Sequence, residues 1–215
     1  MKICIIGTGY VGLVSGVCFA DLGNTVHCVD NNIVKINMLN QNSLPIYEPG
    51  LEEMFKKNYE DKRLVFTTDL KKAVIYSDII FICVGTPTIK NSNSVDLKYV
   101  FSVVNEIRKY IKKFKIIITK STVPVSTGDK IEKMISSKVK RKLFEVVSNP
   151  EFLREGEAIR DFKYPERIVI GTDNKKVIKT LADLYAPIVK KRPIYFTTSR
   201  RGAELIKYAS NAFLA

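Results

Sequence analysis

The sequence predicts an α/β fold, a doubly wound parallel sheet with helices on both faces. Two observations carry this expectation. The chain opens on a β-branched run, Lys2-Ile3-Cys4-Ile5-Ile6, that closes on the glycine-rich turn Gly7-Thr8-Gly9-Tyr10-Val11-Gly12. From there to the end, short apolar runs alternate with longer stretches of helical period. A run that is apolar throughout, with no polar alternation, suits a strand covered on both faces.

The elements follow in order. Residues 2–7 form the first strand, and residues 11–22 a helix with Val11, Val14, Val17 and Cys18 on one stripe. Gly23-Asn24 ends that helix, because glycine takes the left-handed conformation of a helix stop at no steric cost. Thr25 to Asp30 is the second strand, Ile33 to Gln41 a helix, Pro45 to Gly50 a proline-bounded loop, and Leu51 to Glu60 another helix. Leu64 to Thr67 is a short strand. Asp69 caps the helix after it by offering a carboxylate to unpaired N–H groups. Asp78 to Val84 is a central strand ending in Gly85-Thr86-Pro87, and residues 89–95 are a polar, irregular, flexible loop. Leu97 to Phe114 is a long helix. Lys115 to Thr119 is a strand leading into Ser121-Thr122-Val123-Pro124. Ser126-Thr127-Gly128 opens a helix over 128–137, and Phe144 to Ser148 is a strand ending in Asn149-Pro150. Ile168 to Ile170 is a strand closed by Gly171, Lys175 to Tyr185 a helix, and Ile194 to Phe196 the last short strand. Residues 200–215 form an amphipathic helix with Ala203, Ile206, Ala209 and Ala212 on one side.

Bulk properties narrow the function. At 215 residues the chain suits one α/β domain with a short extension. The formal net charge of +13 raises the question of nucleic acid. The lysines are scattered, however, no basic block alternates with aromatics, and no helix-turn-helix pattern occurs, so the charge reads as a solvated lysine-rich surface. Its positive potential would still attract a pyrophosphate. No apolar run reaches bilayer length, and Gly7-Thr8-Gly9 interrupts the apolar start too early for a signal peptide, so no membrane role and a cytoplasmic location are expected. Cys4, Cys18, Cys28 and Cys83 lack paired spacing and there is one histidine. Buried, reduced thiols and no metal site are expected.

The motif Gly7-x-Gly9-x-x-Gly12 follows a strand and opens a helix, and Asp30 ends the next strand eighteen residues beyond Gly12. That context reads as a dinucleotide site, with Gly7, Gly9, Tyr10, Val11 and Gly12 around the phosphates. Asp30 would accept hydrogen bonds from the adenine ribose and repel a 2′-phosphate, which favours NAD over NADP. Three polar turns, Val84 to Pro87, Thr119 to Pro124 and Ser148 to Glu151, share the carboxyl edge of the sheet, where such folds bind ligands. His27 lies in the second strand, away from that edge, and no tyrosine is followed by lysine at the fourth position. The acid–base candidates that remain are Lys120, Glu151, Glu155 and Lys207.

At Pro45-Ile46-Tyr47-Glu48-Pro49-Gly50-Leu51, Lys120 to Pro124, Asn149-Pro150-Glu151-Phe152-Leu153-Arg154-Glu155-Gly156 and Glu204 to Ala212, the chain resembles the UDP-glucose 6-dehydrogenases. The resemblance runs in order over the whole chain. Relatives acting on GDP-mannose or UDP-N-acetylmannosamine share the architecture, and the run from Glu151 to Ala158 fits the UDP-glucose branch better. 6-Phosphogluconate and hydroxyacyl dehydrogenases share the glycine fingerprint but not the Asn-Pro-Glu-Phe-Leu run.

The resemblance implies a four-electron oxidation of UDP-glucose to UDP-glucuronate using two NAD and one water. It implies that Gly85, Thr86 and Thr122 line the nicotinamide side and that Thr122 holds a reactive water or substrate oxygen. Lys35 would lie near the adenosine ribose, and Glu155 would touch the cofactor. Glu151 would act as general acid/base, while Phe152, Leu153 and Arg154 clasp the nucleotide sugar. Lys207 and Asn211 lie four apart on one helix and so share a face, where they would stabilise a developing alkoxide. Ser126 stands where the family often has glycine, with little effect expected.

The family also needs a nucleophilic cysteine in a Gly-Gly-x-Cys-Phe-Pro segment, to hold the substrate covalently between the two oxidations. None of the four cysteines has that context. The expected division is a Rossmann-type NAD-binding domain over 1–199 and the beginning of a central connecting helix over 200–215. The C-terminal half, through which the family forms a homodimer, is expected to be missing. Three readings stay open at this level: the N-terminal half of an ordinary enzyme, a non-catalytic NAD-binding remnant, and one subunit of a split enzyme.

Overall fold

The computed structural model describes residues 1–92, 94–189 and 195–214. The elements are β1 (Lys2–Ile6), α1 (Tyr10–Asp21), β2 (Thr25–Val29), α2 (Ile33–Asn40), α3 (Leu51–Glu60), β3 (Leu64–Thr67), α4 (Leu70–Tyr76), β4 (Ile79–Ile82) and α5 (Lys98–Ile107). They continue as β5 (Lys115–Thr119), α6 (Thr127–Ser136), β6 (Phe144–Ser148), α7 (Ala158–Lys163), β7 (Ile168–Gly171), α8 (Lys175–Tyr185), β8 (Tyr195–Thr198) and α9 (Arg200–Leu214). One sheet runs in the order β3-β2-β1-β4-β5-β6-β7-β8. The first six strands are parallel, and their order reverses between β1 and β4. That reversal opens the crevice in which doubly wound sheets bind ligands.

Side chains alternate across the sheet, so each strand feeds two cores. On one face Ile5, Cys28 and Phe81 pack with Leu13, Val17 and Phe19 of α1. Phe19 stacks on Phe81 at 5.0 Å and meets the edge of Phe162 at 5.1 Å. On the other face Cys4, Ile80 and Ile117 pack with Val74 of α4, Val104 of α5 and Ile131 of α6. Lys115 is fully buried where β5 begins. Its Nζ donates to the carbonyls of Val74 at 2.7 Å, Ile75 at 3.2 Å and Ser77, closing the C-terminus of α4. Among the described residues no helix is long and apolar enough to cross a membrane.

Five details depart from the sequence expectation. β7 meets β6 antiparallel, through Ser148 and Gly171. A parallel strand would need the chain carried back to the amino edge of the sheet. Residues 149–167 instead stay at the carboxyl edge, where Asn149 and Arg167 line one cavity. That segment also contains α7, whose Phe162 enters the core and which is too short to announce itself by period. α5 stops at Ile107, where Lys109 and Tyr110 bond back only three residues and unwind the expected long helix. Beside the stretch expected to be irregular, Thr88 and Val95 form an antiparallel bridge, the Ile89 N–H donates to the Ser94 carbonyl at 2.9 Å, and Asn91 lies in the left-handed region. The inward face of α9 is Ala203, Glu204 and Lys207, not the Ala203–Ala212 stripe, because both charged side chains find partners inside. Ile194 and Ala215, expected in β8 and α9, lie outside the described residues.

Candidate active site

Two groups of residues occupy the carboxyl edge of the sheet. The first surrounds the turn between β1 and α1. Gly7 holds φ 97°, a conformation that costs other residues strain, and a Cβ there would lie 2.7 Å from the Cys83 carbonyl oxygen. A Cβ at Gly12 would lie 1.9 Å from the Gly7 oxygen. The packing of the turn therefore demands both glycines. Gly9 differs: it starts α1 at φ −68°, and a Cβ there would meet nothing within 4 Å. No side chain caps α1, so the leading N–H groups beside Tyr10 and Val11 present the positive end of the helix to open space.

Asp30 is pinned beside this turn. Its Oδ2 accepts from the Thr8 N–H at 2.9 Å, the Thr8 hydroxyl at 2.8 Å and Lys35 Nζ at 3.3 Å. Its Oδ1 accepts from the Asn32 N–H at 3.0 Å. Burial would raise the Asp30 carboxyl, but these donors and the Lys35 cation hold it below the usual carboxylate range. Thr8, fully buried, was not singled out in the sequence; a hydroxyl between two glycines was its only signal. Gly85, Thr86 and Thr122 follow β4 and β5, which continue the edge from β1. The Thr86 hydroxyl donates to the Thr122 carbonyl at 2.9 Å, tying those two turns together.

The second group lines a cavity of about 350 Å³ that collects Lys120, Glu151, Phe152, Leu153, Arg154, Lys207 and Asn211. Lys207 Nζ lies 3.1 Å from Glu151 Oε1, with side chains 10% and 11% exposed. Glu151 Oε2 accepts from the Leu153 N–H at 2.6 Å, which folds the turn back over the carboxylate. The Lys207 ammonium also sits 5.3 Å from the Phe152 ring centre, and the Arg167 guanidinium 4.2 Å from it. Arg167 donates to Ser210 on α9 at 2.8 Å. Lys120 is buried with Nζ 3.5 Å from Asn149 Oδ1. Burial pulls its ammonium below the ordinary lysine range, with Lys207 adding to the shift and Glu151 opposing it.

Two candidates stand apart from this cavity chemistry. Arg154 lines the cavity, but its guanidinium is held at the surface by Asp161 at 2.7 Å and Glu157 at 2.6 Å. Glu155 is exposed; burial and the hydrogen bond to Glu48 raise the Tyr10 phenol, and the Glu155 charge adds to them.

Helix α9 reaches the cavity because α6 holds it. Glu204, 2% exposed, accepts from the N–H groups of Ser126 and Gly128 at 2.7 Å each. It thus caps α6 from a distant helix, and Ser126 adopts φ 73° to present its N–H. Arg200 adds ion pairs to Asp129 and Glu132 at 2.6 Å each. One turn after Glu204, Lys207 meets Glu151 on the same face. A lysine on a carboxylate in a half-closed cavity can pass a proton to a substrate oxygen or stabilise negative charge forming there. His27 takes no part: it stacks on Tyr76 at 4.3 Å.

Comparison with known proteins follows the same lines. The family model described as UDP-glucose/GDP-mannose dehydrogenase family, NAD binding domain, matches residues 1–189. A UDP-glucose 6-dehydrogenase of Rhizobium meliloti (strain 1021) is 51% identical over 218 residues, covering 100% of this chain and 50% of that protein. The UDP-glucose 6-dehydrogenase TuaD of Bacillus subtilis (strain 168) is 48% identical, covering 100% of this chain and 46% of that protein. Among solved structures, a GDP-mannose dehydrogenase from Pseudomonas aeruginosa, in a ternary complex, superposes with a TM-score of 0.93 at 38% identity, covering 99% of this chain and 50% of that one. A UDP-glucose dehydrogenase from Pyrobaculum islandicum gives 0.92 at 38% identity, covering 99% and 49%. The chain thus spans about half the length of the curated relatives it matches.

Proposed function

The chain belongs to the UDP-glucose/GDP-mannose dehydrogenase family, and from that premise we propose that it carries the NAD site and part of the sugar site of an enzyme oxidising UDP-glucose to UDP-glucuronate. The observation that carries the reading is the Lys207–Glu151 pair, set in a cavity on the same sheet edge as the glycine-rich turn. The residues fit NAD: an uncapped helix N-terminus, open space before Gly9, and a charged Asp30 without an arginine beside it. NAD would supply the hydride acceptor, one molecule for each of the two oxidations.

The remaining roles belong to this chain's residues. Tyr10 and Val11 offer backbone N–H groups to the pyrophosphate, Asp30 and Lys35 hold the adenosine ribose, and Gly85, Thr86 and Thr122 border the nicotinamide. Glu155 touches the cofactor. Phe152, Leu153 and Arg154 clasp the nucleotide sugar. Lys207 and Asn211 stabilise negative charge on the substrate oxygen, and Glu151 moves its proton. α9 begins a helix connecting to a second half, through which the whole enzyme forms its homodimer.

The nucleophile would come from outside this chain. All four cysteines are buried. Burial pushes the Cys18 and Cys83 thiols up to about 12 and the Cys4 and Cys28 thiols well above their usual range. A thiol so far from ionising is a poor attacking group at neutral pH.

Calorimetry with NAD, then with UDP-glucose, GDP-mannose and UDP-N-acetylmannosamine on the NAD-saturated chain, tests the reading. Binding of NAD and preference for UDP-glucose are expected. Absence of NAD binding, or preference for another sugar nucleotide, would overturn the cofactor or the substrate assignment respectively.

A further inference from the structure

Glu48 is 4% exposed, yet no role in substrate or cofactor binding accounts for burying a carboxylate in the loop before α3. Its partners explain the burial. Oε1 accepts from the Ala158 N–H at 2.8 Å and Oε2 from the Gly156 N–H at 2.9 Å. The Tyr10 hydroxyl donates to Oε2 and itself accepts from the Gly156 N–H at 3.1 Å. The same hydroxyl reaches the Arg154 carbonyl at 3.3 Å. Tyr10 is the first residue of α1, and residues 154–158 close the turn that begins at Glu151.

We infer that Glu48 is a positioning residue that joins the dinucleotide and sugar subsites into one unit, so that a ligand at the glycine-rich turn orders the Glu151–Glu155 clasp. The inference rests on the proposed function, because the two subsites are assigned there. Three segments far apart in sequence meet here: the loop before α3 supplies the carboxylate, α1 brings the Tyr10 O–H, and residues 154–158 bring the Gly156 and Ala158 N–H groups. Hydrogen bonds to a charged acceptor are the stronger class, and a buried carboxylate deprived of them carries its full desolvation cost. The Glu151 end of the clasp is held by Lys207 and the Leu153 N–H, whereas the Gly156 and Ala158 N–H groups at its other end find their acceptor in Glu48. Gly156 takes φ 87°, Glu155 is exposed, and the Arg154 guanidinium pairs at the surface with Glu157 and Asp161. Ordering the start of α1 around a phosphate therefore restrains Tyr10, and through Glu48 it restrains the clasp.

Amide hydrogen exchange on the whole chain, with and without NAD, tests this. In the parent, NAD is expected to slow exchange at residues 7–13 and also at 153–158. Glu48→Gln is isosteric, so it preserves packing, but its amide NH₂ opposes one of the N–H donors. It is expected to speed exchange of the Gly156 and Ala158 amides by about tenfold or more, the factor that 1.4 kcal/mol represents. It is also expected to abolish the NAD-induced slowing at 153–158 while leaving that at 7–13. Unchanged exchange in β1 and β4 shows that the variant keeps its fold. NAD protection confined to 7–13 in the parent overturns the coupling and leaves the cofactor reading standing. A Glu48→Gln protein whose clasp responds like the parent overturns it too. No protection anywhere removes the NAD reading, and the coupling with it.

Discussion

Gly12→Ala and Gly9→Ala change the same atom count three residues apart, and the geometry assigns them opposite outcomes. At Gly12 the new methyl lies 1.9 Å from the Gly7 carbonyl oxygen and 3.1 Å from the Cys83 Cβ. The obstacle is backbone, so relief requires α1 to move away from β1 by about 1 Å or more, and overpacking of that kind costs about 1–3 kcal/mol. For a chain of this size that lowers Tm by roughly 2–12 °C. At Gly9 the methyl meets nothing within 4 Å and φ is −68°, so stability changes by less than about 0.5 kcal/mol. The methyl does enter the space before the helix N-terminus. NAD affinity is therefore expected to fall at least about tenfold, or 1.4 kcal/mol. Urea unfolding gives the first quantity for both variants, and NAD titration of Gly9→Ala gives the second. A Gly9→Ala protein that binds NAD like the parent, or a Gly12→Ala protein of parental stability, would refute the reasoning.

Two further outcomes follow from buried charge. A double-mutant cycle of Glu151→Gln and Lys207→Met, read by chemical unfolding, is expected to give a coupling of about 1–3 kcal/mol, since both side chains are about nine-tenths covered; a value near zero would make the contact incidental. Burial pulls the Lys115 ammonium down to about 8, so between pH 8 and about 10.4 the unfolded chain binds more protons than the folded one and stability rises with pH. Measured as the difference between the parent and Lys115→Met, that rise should reach about 1 kcal/mol or more between pH 7 and pH 10, and a flat difference would contradict it.

The strands, most helices and the phosphate turn were legible because their causes are local. A β-branched run, a helical period and the spacing of Gly7, Gly9 and Gly12 act within a few residues, and the same runs predicted the burial of Ile5, Phe81 and Ile118. Asp30 was found because the strand after a glycine turn ends at a fixed place. Elimination left Lys120, Glu151 and Lys207 among the acid–base candidates, the family resemblance added Asn211, and the structure brings all four to one cavity. The antiparallel entry of β7 and the short α7 escaped because neither carries a periodic signature of its own.

What the sequence by itself determined is the backbone: the alternation of strand and helix, the parallel sheet of β1 to β6, and the turn in which Gly7 and Gly12 leave no room for a side chain. Which charges go inside was decided only by the tertiary structure. Glu204, Lys207 and Glu48 look like solvated surface residues along the chain. Their partners arrive from 76 and 78, 56, and 108 and 110 residues away. A charge leaves water only where donors or an opposite charge are already fixed to receive it, and the folded sheet is what fixes them.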